Sequence, residues 1–303
     1  MNKITVKSRC FLFFNNKDYE WLGSQCASLS EEDVVVNDKN NKFSKNEQIS
    51  REFFCTANKL INELGGIEKF ASNDMGISFG TSNGCYSSLR LAADNIAVKG
   101  VKGMKPKDAT NCTMSGAAAK TAIMLGIKGF SITNCDGCNA GIDSVIFSCN
   151  ALSGERARYV ISGAGDEGSA YGAFMLVSAD EEKGEFCISG YAKGLLYGDN
   201  IKSQIKAFIN AAISSTEVSP EKIGKFVVVS EGLSNEISEV AKSFCKDAEI
   251  YKCDILENYK AASGLMAMEY CMKLLECETE NSYAAVVQCS SEGYFSVVIL
   301  NKQ

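Results

Sequence analysis

A chain of 303 residues, 46% of them hydrophobic, can bury a sizeable core in one large domain or two fused halves. Its net charge is −6 and no stretch collects basic residues, which argues against nucleic acid and anionic membranes as partners. No apolar run reaches the ~18 residues of a membrane span, MNKITVKSRC lacks a signal-peptide core, and cysteines such as Cys55, Cys149 and Cys271 sit inside apolar segments. A reduced, cytoplasmic, enzyme-like protein is the expectation.

In chain order, Ser44-Lys-Asn-Glu47 reads as a capping box. It opens a helix whose apolar residues Ile49, Phe53, Ala57, Leu60, Ile61 and Leu64 precede Gly65-Gly66. Met75-Gly-Ile-Ser-Phe-Gly80 is a strand, followed by a small-residue turn and a second helix. Residues 111–126 read as an Ala-rich helix, 129–134 as a strand, and 138–152 as a helix opened by Cys138. Two strands, 157–162 and 170–178, flank a glycine turn. Asp180-Glu-Glu-Lys183 reads as a solvated turn. Gly163-Ala-Gly-Asp-Glu-Gly168 matches GxGxxG, but a strand-like segment follows it where a dinucleotide motif must open a helix.

The order then recurs. A helix over 202–214, strand 226–230, helix 234–244 and strand 249–252 lead to a small-residue helix opening at Ala261-Ala-Ser-Gly264, then to strands 283–288 and 295–300. Cys138-Asn-Ala-Gly141 and Ala261-Ala-Ser-Gly264 occupy matching places. Two α/β halves related by duplication follow, divided as 1–165 and 166–303 within one compact unit.

Cys135-Asp-Gly-Cys138 admits several readings. A zinc site needs two further ligands, and a chain with no histidine and no second CxxC offers none, so no metal is expected. A redox pair lacks the rest of a thioredoxin-like domain. A buried structural thiol and a nucleophilic or acyl-bearing thiol at Cys138 both remain. A helix N-terminus favours a thiolate by roughly 0.3–1 kcal/mol, enough to raise its population several-fold near neutral pH.

The duplicated layout with a cysteine opening the last helix of the first half resembles the thiolase superfamily, and more narrowly the β-ketoacyl synthases. Gly76-Ile-Ser-Phe-Gly-Thr-Ser-Asn-Gly84, Cys138-Asn-Ala-Gly-Ile-Asp143, Gly163-Ala-Gly165, Gly190-Tyr-Ala-Lys-Gly194 and Leu256-Glu-Asn-Tyr-Lys-Ala-Ala-Ser-Gly264 carry the likeness across essentially the whole chain. The resemblance implies two similar halves, each a mixed five-stranded sheet, stacked in five αβαβα layers. It implies Cys138 as nucleophile and no cofactor. The family's first catalytic histidine would follow strand 226–230, where this chain has Ser230-Glu231-Gly232, so Glu231 is the candidate there. The second donor falls at Asn258. The closing glycine motif that helps form the oxyanion hole is here Ser290-Ser291-Glu292-Gly293, making Ser291 and Gly293 the candidates on the oxyanion side.

These departures imply a degenerate ketosynthase-like subunit of a type II fatty-acid, polyketide or polyene pathway. Its expected partners are acyl carrier protein or CoA thioesters, a second copy of itself, or a competent synthase in a heterodimer. The alternative is a stand-alone Cys138 acyltransferase or thioesterase. Decarboxylative condensation needs neutral donors on an enolate oxygen, and each lost donor typically costs ~10²–10³ in rate.

Overall fold

The computed structural model describes residues 3–12, 28–29, 48–104, 106–178, 182, 184–216, 218–279 and 282–303. The first half comprises β1 (Ile4–Leu12), the two-residue β2 (Ser28–Leu29), α1 (Gln48–Glu63), β3 (Met75–Gly80), α2 (Tyr86–Lys99) and the short α3 (Pro106–Thr110). It continues through α4 (Gly116–Leu125), β4 (Phe130–Asn134), α5 (Ala140–Ser153), β5 (Tyr159–Gly165) and β6 (Tyr171–Ser178). The second half runs β7 (Phe186–Leu195), α6 (Ile201–Ser214), β8 (Ile223–Ser230), α7 (Ser234–Phe244), β9 (Glu249–Lys252), α8 (Ser263–Glu276), β10 (Tyr283–Cys289) and β11 (Tyr294–Lys302).

Strand order establishes the duplication. Read from its outer edge, the first half is β4-β3-β5-β6-β1 and the second is β9-β8-β10-β11-β7. Each element matches its counterpart in place and direction. β3 is parallel to β4 and β5, as β8 is to β9 and β10. The last two strands of each half run antiparallel. The two sheets join where Ile4–Val6 of β1 pairs antiparallel with Phe186–Ile188 of β7. The seam between halves therefore lies between β6 and β7, not at 165/166, because β6 completes the first sheet.

Three cores give the five layers. In the middle, Ile142, Val145 and Cys149 of α5 and Leu265, Met268 and Met272 of α8 fill the space between Val160 and Phe174 of one sheet and Val227 and Val298 of the other. Outside the first sheet, Phe53 and Leu60 of α1 and Ala118 of α4 cover Ile77 and Phe79. Outside the second, Ile205 and Ile209 of α6 and Ile237 of α7 cover Phe226, Val228 and Val297. Strands covered on both faces lose polar alternation, and β6 and β10 are buried almost throughout.

Most elements begin and end within two or three residues of the expected positions. β1 and β7 are additions, since neither segment shows clean alternation of apolar and polar residues. The proposed capping box at Ser44–Glu47 and three residues of the acidic run (Asp180, Glu181 and Lys183) lie outside the described residues. GxGxxG spans the end of β5 and the turn into β6, so no helix follows it and the dinucleotide reading stays excluded. No helix among the described residues is long and apolar enough to cross a membrane.

Candidate functional site

The C-terminal ends of parallel strands β3, β4, β5, β8 and β10 point their loops toward one region, the usual place for a site in such sheets. Cys138 lies there in a 3₁₀ turn, Gly137–Asn139, between β4 and α5, and is half-buried. The helix begins at Ala140, so the thiol stands just ahead of it and not on its first residue. Cys149 and Cys271, by contrast, are fully buried, and burial pushes both thiols up.

The turn is clamped from both halves. Gln288 Nε2, on β10, donates to the Cys138 carbonyl at 2.9 Å and to Ser263 Oγ at 2.7 Å. Ser263 Oγ itself donates toward the same carbonyl at 3.4 Å. Asn139 Nδ2 donates to Ser296 Oγ at 3.1 Å, and Ser296 Oγ donates to Asp143 Oδ1 at 2.8 Å. Lys193 Nζ on β7 reaches Asp143 Oδ2 at 3.0 Å and Asp136 Oδ2 at 3.5 Å. Burial raises the Asp143 carboxyl to about 6, against the pull of Lys193. Burial works against the Lys193 ammonium, but Asp143 and Asp136 hold it above its ordinary value.

Helices α5 and α8 cross at their first turns through small residues. A Cβ on Gly141 would fall 2.0 Å from the Ala261 carbonyl oxygen and 2.8 Å from Leu265 Cδ1. One on Gly264 would fall 2.8 Å from Ile142 Cβ. Each glycine faces the residue that follows its counterpart, or nearly so, which sets the Cys138 turn against the start of the matching helix.

Of the residues singled out from sequence, the structure brings the 290–293 turn to the cysteine. Glu292 Oε2 lies 3.7 Å from where a Cβ on Gly137 would stand. Ser291 is exposed, and Gly293 takes φ +87° while its carbonyl accepts from the Leu196 N–H at 2.8 Å. Glu231 follows β8 directly and is exposed. Asn258 lies in the 3₁₀ segment Asp254–Ala262 and is also exposed.

Sequence reading missed Asp166, Lys193 and Gln288 as members of this constellation. Lys193 and Asp166 sit within or beside motifs already noticed for their glycines. Gln288 is a polar residue in an otherwise apolar strand, Tyr283-Ala-Ala-Val-Val-Gln288-Cys289, which was the available signal.

No family model and no curated protein matches the chain. Solved structures do. The ishigamide ketosynthase/chain length factor superposes with a TM-score of 0.72 at 14% identity, over 86% of this chain and 85% of that one. A chain of the AntDE:AntF complex, a type II acyl-carrier protein with its ketosynthase bound to the hexaketide, gives 0.80 at 13% identity, over 100% and 99%. The ketosynthase from module 6 of the bacillaene synthase of Bacillus subtilis gives 0.73 at 11% identity, over 100% and 71%. The repeated strand order, the central pair of helices and these superpositions establish the architecture: this chain has the same fold as these ketosynthase structures.

Proposed function

We propose that this protein is a ketosynthase-like subunit of a type II polyketide or fatty-acid pathway that lacks full decarboxylative condensing activity and partners a competent β-ketoacyl synthase. One observation carries the reading: a cysteine turn clamped by both halves of a ketosynthase-type fold, in a chain without a single histidine. A half-buried thiol ahead of a helix suits acyl transfer from a thioester. Condensation asks for neutral donors on the enolate oxygen. Glu231 at the first donor position would repel the incoming carboxylate and the enolate alike, leaving Asn258 to serve alone.

Partnering is supported by β4, the outer strand of its sheet, and by exposed apolar residues of the same half. Among the described residues, nine of the twelve exposed large hydrophobics fall between Tyr86 and Met124, Val98 and Val101 at 80% and 81% exposure among them. An unguarded edge strand and exposed apolar surface on the same half fit a subunit interface, with a second copy or with a full synthase. The reading that no stretch collects basic residues is corrected at this surface. Lys99 to Lys107 holds four lysines in nine residues, and Lys99 and Lys102 are exposed. That run fits a negatively charged partner such as a carrier protein.

A second reading, a stand-alone Cys138 acyltransferase or thioesterase acting on carrier-protein or CoA thioesters, is favoured by the retention of an accessible Cys138. Intact-mass analysis after incubation with acyl-carrier-protein thioesters separates the two. A stable acyl adduct on Cys138 supports the first, rapid turnover to free acid the second, and neither result on a folded protein removes both.

A further inference from the structure

Asp166, the first residue after β5, is fully buried. Its Oδ1 accepts from the Thr81 hydroxyl at 2.7 Å and from the backbone N–H groups of Ser82 and Asn83 at 2.9 and 2.8 Å. Its Oδ2 accepts from the Ala261 N–H at 3.1 Å, in the other half of the molecule. A buried carboxylate persists only where donors surround it, and such charge-assisted bonds are the strong ones. The position of this one group therefore fixes two loops at once.

Each loop leads directly to a candidate site residue. Ser82 Oγ donates to the Gly137 carbonyl at 2.9 Å, one residue before Cys138. Ala261 stands three residues after Asn258, with its carbonyl against Gly141 in the first turn of α5. Between Asn258 and Ala261, Lys260 holds φ 50° and ψ −123°, a backbone conformation natural to glycine and strained for lysine. Such strain survives only when the surroundings over-determine it, and the bond from Ala261 to Asp166 closes that side of the kink.

We infer that Asp166 is a positioning residue that locks the Cys138 turn and the Asn258 segment into a single register. This rests on Cys138 being the reactive thiol. Two readouts test it: alkylation of Cys138 by iodoacetamide as a function of pH, and amide hydrogen exchange. Asp166→Asn converts one acceptor oxygen into a donor that opposes the loop N–H groups. It should slow Cys138 alkylation roughly tenfold, shift the pH midpoint, and speed exchange in both the 82–84 and 259–262 segments. Ser82→Ala should act in the same direction, more weakly, and on the Cys138 side alone. Lys260→Gly, which relieves the kink, should restore part of the lost exchange protection when added to Asp166→Asn.

A folded Asp166→Asn protein with the wild-type pH profile, or with faster exchange in only one of the two segments, overturns the inference. Should that variant fail to fold, an unchanged Cys138 pH profile in Ser82→Ala does the same. A wild-type Cys138 that resists iodoacetamide removes the reactive-thiol reading, while the exchange measurement still decides whether Asp166 couples the two loops.

Discussion

Gln288 and Cys138 are 150 residues apart in the chain, and the buried amide of the first donates to the carbonyl of the second at 2.9 Å. The same nitrogen donates to Ser263 Oγ, so a single side chain ties the cysteine turn to the start of α8. Gln288→Leu leaves the Cys138 carbonyl, in a half-buried turn, without its best donor. The expected cost is about 1–3 kcal/mol of unfolding free energy, together with altered Cys138 alkylation. Urea denaturation read beside peptide mapping checks both, and a variant with wild-type stability and labelling would show that the bond positions nothing.

Cys138 should be alkylated ahead of Cys149 and Cys271, which are fully buried and whose thiols burial holds protonated. Brief, substoichiometric iodoacetamide followed by peptide mapping reads this order. Labelling that spares Cys138 counts against any acyl-bearing role.

The purified protein should release carbon dioxide from malonyl-carrier thioesters at less than about a hundredth of the rate of a competent synthase, since the chain has no histidine to stabilise the enolate. A rate comparable to that of a competent synthase would reveal an unrecognised donor set.

Assembly should depend on β4. Its side chains Phe130 and Ile132 are half-buried and Ser131 is exposed, and no Lys or Pro guards this outer strand. A dimer of the family type should bury well over the ~2,000 Å² that marks obligate interfaces. Light scattering should find a dimer, alone or with a co-expressed synthase, and Ile132→Lys should dissociate it. A monomer at micromolar concentration that ignores the synthase leaves only the stand-alone acyltransferase.

Glu52, buried on α1, is raised from 4.5 to about 7 by burial, despite the bond from Gln48 Nε2 at 2.9 Å and the nearby Arg51. Between those two values the folded protein keeps a proton that the unfolded chain has released. The stability it contributes is therefore complete below about pH 4.5 and is lost as pH rises through about 7. Glu52→Gln should flatten this dependence and gain up to about 3 kcal/mol at pH 8. Equal slopes of stability against pH in the two proteins would show that Glu52 does not titrate in this window.

The periodic elements and their repetition were legible in the sequence, because local runs of apolar residues mark them, one-faced in a helix such as α7 and continuous in a doubly covered strand such as β3. The strand at Met75–Gly80, the helix at Ser234–Phe244 and the small-residue openings at Cys138 and Ala261 were all legible on that ground. Where the halves meet was set by pairing between segments far apart in the chain. β1 and β7, which join the two sheets, carry mixed burial, and β7 two glycines, in place of clean alternation, so no local signal marked them. The same holds for the site. Cys138 announced itself by motif, but Gln288, Lys193 and Asp166 reach it from 50 residues away or across the seam, and such contacts exist only once the sheets are stacked.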